Sequence, residues 1–296
     1  MKLNNLSEIL FSPAVRKSLG RYTLYIAILS FFSHLILYFL YHQIWHLQPT
    51  GLLSNPINAI YTPFSFLLVY EAYLLLYYLQ QSTTIYVAKQ YEIIVLILIR
   101  GVFKDMTHLE LKSQQWLSPG NLELWYDLIT AALLFSLILL FYRITGRLAP
   151  QSPELPESGS SGENLLKFIQ AKKYLATILL LVSFGIGVHG FTEWWIKASD
   201  SGSWFSDPDV NAIFFDDFFT ILIMTDVLIL LFSLFYSDDF PVIIRNSSFI
   251  ISTILLKLSF SADTGMSQIL MVAGVGFGVV MSAITQRYSL TLKRNS

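Results

Sequence analysis

The chain has 296 residues, of which 54% are hydrophobic and 13% are charged, and its mean hydropathy is +0.57. This balance excludes an ordinary soluble domain, which could not bury so many apolar runs of roughly 20 residues, the length that spans a bilayer. The net charge of −1 leaves no domain-wide basic face for a nucleic acid. The absence of cysteine excludes disulfides, thiolate metal sites, Fe–S clusters and thiol catalysis.

Apolar segments with the length of a transmembrane helix recur along the whole chain. They are residues 22–44, 58–80, 84–103, 124–146, 172–191, 213–236, 240–260 and 266–286. The sequence therefore predicts an all-α, polytopic integral membrane protein with eight transmembrane helices. Lysine and arginine concentrate before the first segment, between the fourth and fifth, and after the eighth. By the positive-inside rule, we expect both termini to be cytoplasmic.

A stretch rich in Pro, Ser, Gly and Glu divides the eight segments into four and four. This stretch, residues 148–165, has no apolar period, so it predicts a flexible cytoplasmic linker. The resulting organisation is a cytoplasmic N-terminal segment (1–21), a first four-helix unit (22–147), the linker (148–165), a second four-helix unit (166–287) and a cytoplasmic tail (288–296).

The two halves carry charged residues inside their apolar segments in the same order. In each half the second segment holds one carboxylate and the third holds two cations. These residues are Glu71, Lys89 and Arg100 in the first half and Asp226, Arg245 and Lys257 in the second. The carboxylate precedes the first cation by 18 and 19 positions, and the cations are 11 and 12 positions apart. The pattern predicts an internal repeat, and an even number of crossings per unit makes the two units parallel.

The residues around these charges resemble a small bacterial family, the phosphate-starvation-inducible protein PsiE and its relatives. The similar motifs are Tyr70-Glu71, Lys89-Gln90-Tyr91, Ile97-Leu98-Ile99-Arg100 and Asp127. The resemblance covers roughly residues 58–145, and it extends to the second half only through the internal repeat. It implies a tandem of two PsiE-like units in the bacterial cytoplasmic (inner) membrane. It implies no biochemical activity.

Insertion of a charged side chain into the hydrocarbon of a bilayer costs about 3 kcal/mol on insertion scales. A cost of this size calls for an explanation of the charged residues, and two interpretations are open. The short turn between the second and third segments places Glu71 near Glu92 and within reach of the long Lys89 side chain, so in a structural ion pair the partner of Glu71 would be Lys89 or Arg100. Lys89 and Arg100 are three helical turns apart and share a face. The charges form either ion pairs that fix the helices or a path for a proton or small ion.

Two pairs of residues at the outer ends of the first and fifth segments have the i, i+4 spacing of metal ligands. They are His42 with His46, and His189 with Glu193. Such pairs can share a metal, but His and Glu are also ordinary residues at a membrane–water interface. We predict no metal site and no cofactor.

The eighth segment contains a GxxxG pattern, Gly274 to Gly278. No strand precedes these glycines and no lysine follows them, so they do not form a nucleotide-binding loop. They predict close helix packing, either inside the protein or at a dimer interface.

Transport is the function that the charge pattern favours: movement of a proton or small ion past Glu71 and Asp226, gated by the cations and by Glu92. The alternative is a non-catalytic membrane scaffold or accessory subunit whose ion pairs are structural or dock partner helices. Because no catalytic motif is present, we expect no enzyme activity. The expected surroundings are the lipid bilayer and either a second copy of the chain or other membrane subunits.

Overall fold

A computed structural model describes residues 7–43, 53, 55–106, 119–146, 160–201, 210–236, 240–263 and 265–295. All regular secondary structure in this part of the chain is helical, so the prediction of an all-α protein is confirmed. We number the long α-helices in chain order: α1 Pro13–Gln43, α2 Tyr61–Leu79, α3 Thr83–Met106, α4 Pro119–Thr145, α5 Ser160–Ser201, α6 Val210–Tyr236, α7 Phe240–Leu258 and α8 Met266–Asn295. Short 3₁₀ helices, Pro56–Ile60 and Ser259–Ser261, precede α2 and follow α7.

Seven helices in the described residues are long and apolar enough to cross a membrane, as expected for a multi-pass membrane protein. The exception is α3, whose central part carries three charged residues, Lys89, Glu92 and Arg100. This helix has 24 residues, so its charge and not its length distinguishes it from the others.

Local sequence explains where several helices begin and end. The Ser82 hydroxyl accepts a hydrogen bond from the Ile85 N–H at 3.4 Å and caps the start of α3. Gly146 follows α4 with a φ of 68°, a left-handed conformation that favours glycine. Gly265 precedes α8 with a φ of 90°, and its N–H donates to the Gln268 side chain at 2.5 Å. These ends leave short turns between α2 and α3 and between α7 and α8.

The predicted linker overlaps the start of α5. This helix begins at Ser160, so the last residues of the predicted stretch 148–165 are helical. The preceding residues, 147–159, lie outside the described part of the chain. Likewise α1 begins at Pro13, inside the predicted N-terminal segment.

Helices that are adjacent in sequence pack together, from α1 on α2 to α7 on α8, apart from α4 and α5 on the two sides of the linker. The main contacts between the first four helices and the last four are those of α2 with α5, α3 with α7, and α4 with α8. One apolar cluster lies between α2, α5 and α6, and it includes Leu75, Leu76, Ala176, Leu179, Phe218 and Leu222. A second lies between α3, α4, α7 and α8, and it includes Tyr91, Ile94, Leu134, Phe141, Phe249 and Val275.

Tyrosines on α2 hold the N-terminal part of the described chain. The Arg16 guanidinium lies 4.9 Å from the centre of the Tyr77 ring and donates to the Tyr78 hydroxyl at 3.0 Å. The Tyr73 hydroxyl donates to the Leu10 carbonyl at 2.9 Å. Cation–π and hydrogen-bond contacts therefore fix the start of α1 against α2.

The glycines of the GxxxG pattern lie against α7 and α3, inside the protein. A Cβ atom at Gly274 would lie 3.0 Å from the Ser252 carbonyl oxygen, and one at Gly278 would overlap the Tyr91 hydroxyl. The Ser252 hydroxyl donates to the Gly274 carbonyl at 2.6 Å, so it accepts from Tyr91 at 2.5 Å. The missing side chains make room for hydrogen bonds that tie three helices together.

Substitution of Gly278 by alanine tests this packing. We expect Gly278→Ala to lower stability by about 1–3 kcal/mol, because the new methyl group must displace Tyr91 from a well-packed contact. Gly276→Ala is the matched control, since a Cβ atom there meets open space, and it should leave stability unchanged or raise it by about 0.5–1 kcal/mol. Thermal unfolding in detergent measures both, and equal melting temperatures would contradict the packing.

Candidate functional site

An ion pair between α2 and α3 lies in the interior of the first four helices. The Arg100 guanidinium donates to the Glu71 carboxylate at 2.5 Å, and the two side chains are 9% and 10% exposed. Arg100 also donates to the Phe64 carbonyl at 3.1 Å. Side chains in a helix lean toward its N-terminus, which brings this arginine back along α3 to the level of Glu71.

Of the two candidate partners of Glu71, Arg100 makes the contact and Lys89 does not. Lys89 lies one to two turns from the start of α3, and its ammonium group is 5.7 Å from the centre of the Tyr78 ring, near the end of α2. Glu71 lies about two turns before Tyr78 in α2, away from the turn that joins α2 to α3. Lys89 instead donates to Glu92 at 2.6 Å, one turn along its own helix.

The Lys89–Glu92 pair is partly open to the surroundings. Its side chains are 30% and 35% exposed. Glu92 also accepts a hydrogen bond from the Tyr142 hydroxyl of α4. The Lys89–Glu92 pair is therefore less enclosed than the pair between Arg100 and Glu71.

A second buried ion pair lies between α6 and α7. The Lys257 ammonium group donates to the Asp226 carboxylate, and both side chains are 0% exposed. The carboxylate also accepts from the Thr253 hydroxyl at 3.0 Å and from the Tyr86 hydroxyl at 2.8 Å. Three donors from three different side chains thus surround Asp226, and one of them belongs to the first four helices.

The two buried pairs join corresponding residues of the repeated charge pattern. In each half the carboxylate binds the second cation, Arg100 or Lys257, across 29 and 31 positions of the sequence. The first cations, Lys89 and Arg245, have different surroundings: Lys89 binds Glu92, whereas Arg245 lines a cavity.

Polar contacts connect the first four helices to the last four around these pairs. Besides Tyr86 and Asp226, the Lys172 ammonium group of α5 donates to the Gln81 carbonyl in the turn between α2 and α3, at 3.0 Å. Lys172 is 2% exposed. A buried lysine that reaches a backbone carbonyl fixes α5 against this turn.

The cavity that Arg245 lines has a volume of about 260 Å³. It lies where α3 and α7 begin and where α4 ends, beside residues 282–286 of α8. Neither Glu71 nor Asp226 lines it. The described lining residues are Thr84, Ile144, Thr145, Pro241, Val242, Arg245, Phe249, Ser282, Thr285 and Gln286.

The outer histidines have ordinary surroundings where the structure describes them. The His42 ring stacks on Tyr38 with 6.0 Å between ring centres, and its predicted companion His46 lies outside the described residues. His189 and Glu193 are 3.9 Å apart and largely exposed. Among the described residues, no three His, Asp or Glu side chains form a group that could hold a metal ion.

The predicted site did not include Thr253 and Tyr86, which both donate to Asp226. The sequence contained a signal for the first of them and none for the second. Thr253 lies four positions before Lys257, on the same helical face, so its spacing carried a signal. Tyr86 lies 140 positions before Asp226, and its contact depends on how the two halves pack.

Comparisons of the chain with models of known protein families, with curated proteins and with solved structures found no match.

Replacement of Asp226 by asparagine tests the buried pair. We expect Asp226→Asn to lower stability by about 3–5 kcal/mol, because it leaves Lys257 as an uncompensated buried charge. Adding Lys257→Met, which removes that charge and keeps a long side chain, should recover much of the loss. Thermal unfolding in detergent measures each variant.

The control for this experiment is the exposed pair of His189 and Glu193. Glu193→Gln should change stability by no more than about 0.5 kcal/mol, as surface substitutions usually do. If Asp226→Asn has the same melting temperature as the wild type, or if the double variant is no more stable than the single one, burial of the Lys257 charge does not depend on the Asp226 carboxylate.

Proposed function

We propose that this chain is a multi-pass protein of the bacterial cytoplasmic membrane in which α1 to α8 all cross the bilayer. Because α3 carries charged residues, its crossing of the bilayer has to be argued separately. Its 24 residues extend about 36 Å, more than the hydrocarbon thickness. Arg100 is paired with Glu71, and the Lys89–Glu92 pair lies toward the start of the helix. Neither set of charges has to face lipid unpaired.

The eight helices form two four-helix PsiE-like units in parallel, joined by a cytoplasmic linker. The support is that helices follow the same packing order in each half and that each half pairs its carboxylate with its second cation. The motif similarity around Glu71 and Arg100 adds the family resemblance. Cations at the ends of the segments favour cytoplasmic termini.

Protease accessibility tests this topology. A specific protease site inserted in the linker, within 148–159, should be cut in inverted membrane vesicles and resist cutting from the periplasmic side of intact cells. A site inserted between α5 and α6, within 202–209, should show the reverse pattern and serves as the control. Cutting of the linker in intact cells would overturn the topology.

For the function itself, we propose a non-catalytic membrane scaffold or accessory subunit whose intramembrane ion pairs are structural. The observation that carries this proposal is the enclosure of Asp226 and Lys257: both side chains are fully buried, and protein groups supply the donors to the carboxylate. An ion carrier must exchange such partners for its ion. A fully bonded, buried pair is stable only while both charges stay together.

Passage of a proton or small ion past Glu71 and Asp226, the function that the charge pattern favours, has weaker support from the geometry. The described cavity of about 260 Å³ is lined by neither carboxylate. The pseudo-repeated arrangement of charges still suits a transporter, so the two functions are separated by measuring flux.

Reconstituted wild-type protein should neither dissipate a pH gradient nor pass current, with empty vesicles as the baseline and a protonophore as the positive control. Glu71→Gln should melt at a lower temperature, because it leaves Arg100 without its carboxylate partner. It should also produce no proton flux and no current. Proton flux in the wild type that disappears in a stably folded Glu71→Gln variant would contradict the scaffold proposal and favour transport.

A further inference from the structure

Charged and aromatic side chains from four helices lie together at one end of the first four-helix unit, where α2 and α4 end and α1 and α3 begin. The Lys89 ammonium group donates to Glu92 at 2.6 Å and lies 5.7 Å from the centre of the Tyr78 ring. The Tyr142 hydroxyl donates to the other oxygen of Glu92. Arg16 donates to the Tyr78 hydroxyl at 3.0 Å. We call these five residues the polar cluster.

The polar cluster is open on one side. The Lys89 and Glu92 side chains are 30% and 35% exposed, unlike the enclosed pairs of Glu71 and Asp226. An ammonium group has three N–H donors, and a carboxylate has about four acceptor positions. Within the described part of the chain, Lys89 spends one donor on Glu92, and Glu92 accepts from Lys89 and Tyr142. The pair therefore keeps hydrogen-bonding capacity of both signs of charge.

The position of the pair along α3 determines what it faces. At 1.5 Å per residue, Lys89 and Glu92 lie about 9 and 14 Å from the start of α3. The headgroup region is about 5–7 Å thick on each side of the hydrocarbon. When the turn before α3 lies at the membrane surface, the pair is therefore close to the boundary between headgroups and hydrocarbon. Tyr78 and Tyr142, near the ends of α2 and α4, are of the residue type that concentrates at this boundary.

An open ion pair at this depth matches a zwitterionic phospholipid headgroup in charge. Such a headgroup carries a phosphate anion and an ammonium cation close together. Lys89 offers N–H donors to the phosphate, and Glu92 offers acceptors to an ammonium group that has N–H bonds of its own. Charges next to hydrocarbon are costly unless they find partners. A zwitterionic headgroup supplies a partner of opposite sign to each member of the pair.

We propose that the polar cluster binds the headgroup of a phospholipid with a primary ammonium group, such as phosphatidylethanolamine. Lys89 binds the phosphate, and Glu92 accepts hydrogen bonds from the ammonium group. Tyr142 holds the carboxylate through its second oxygen. The Tyr78 ring supports Lys89, and Arg16 holds that ring from α1. The inference rests on the proposed crossing of the bilayer by α3, and it adds a lipid partner to the proposed function.

Lipid binding is measured on the full-length protein in neutral detergent, by native mass spectrometry and by thermal shift. The probes are dioleoylphosphatidylethanolamine, its N,N-dimethyl derivative and dioleoylphosphatidylcholine. They share the phosphate, the net charge and the acyl chains, and they differ in the number of N–H donors. The wild type should bind phosphatidylethanolamine about three- to ten-fold more tightly than phosphatidylcholine, because only N–H groups donate to Glu92. The dimethyl lipid should bind with intermediate affinity.

Three variants separate the roles of the two charges. Glu92→Gln should reduce the preference to about two-fold or less, because it removes the charge-assisted hydrogen bond. Lys89→Gln should weaken all three lipids by a similar factor of about ten and keep the preference. Glu193→Gln is the matched control, since it removes a carboxylate from the exposed pair at the other end of the bundle. It should keep both the affinity and the preference of the wild type.

Equal binding of phosphatidylethanolamine and phosphatidylcholine to the wild type would overturn the proposal. So would a preference that survives in Glu92→Gln, an unchanged affinity in Lys89→Gln, or equal losses in Glu92→Gln and Glu193→Gln. The protease test of topology gives a separate answer. Cutting of the linker in intact cells would overturn the orientation and leave the lipid preference measurable, whereas equal lipid binding with the expected cutting pattern would overturn the headgroup site alone.

Discussion

The buried ion pair between Asp226 and Lys257 is the constraint on which the arrangement of the second four helices depends. Two opposite charges without solvent contact are tolerated only when each supplies the other's partner and the remaining lone pairs are bonded. Thr253 and Tyr86 complete that requirement for the carboxylate. Because these groups come from α3, α6 and α7, a shift of any one of the three helices would expose a charge to an apolar interior. The pair therefore fixes their register more sharply than apolar packing alone, which tolerates small slides.

The other polar contacts extend the same requirement through the molecule. Arg100 holds α3 to α2 through Glu71 and the Phe64 carbonyl, and Ser252 joins α7 to α8 and α3. Lipid tails give little preference between one apolar helix contact and another, so close packing and interhelical hydrogen bonds carry the specificity in such a bundle. The apolar clusters fill the space that these bonds define.

Sequence reasoning succeeded where the signal was local and failed where it depended on depth and packing. The apolar lengths predicted the helices, and the carboxylates and cations inside them identified the residues of both buried pairs. The choice between Lys89 and Arg100 as the partner of Glu71 stayed open, because a count of residues from the turn does not include the lean of a long arginine side chain toward the start of its helix. The role of Tyr86 could not be predicted, since a buried tyrosine hydroxyl usually finds a hydrogen-bond partner but the sequence does not indicate one that lies 140 positions away. The cavity at Arg245 also depends on residues of four helices that meet only in the folded chain.

The bond between Tyr86 and Asp226 has a consequence for the order in which the chain is made. Synthesis proceeds from the N-terminus, so α3 is complete before α6 leaves the ribosome, and Lys257 follows Asp226 by 31 positions. During that interval Lys257 is not yet present, whereas the Tyr86 hydroxyl of α3 and the buried Lys172 of α5, whose charge also acts on Asp226, have already been made. Tyr86 is thus available to Asp226 before Lys257 is, in keeping with the tendency of N-terminal domains to fold first. Swapping the order of the two halves in a gene would remove this early partner.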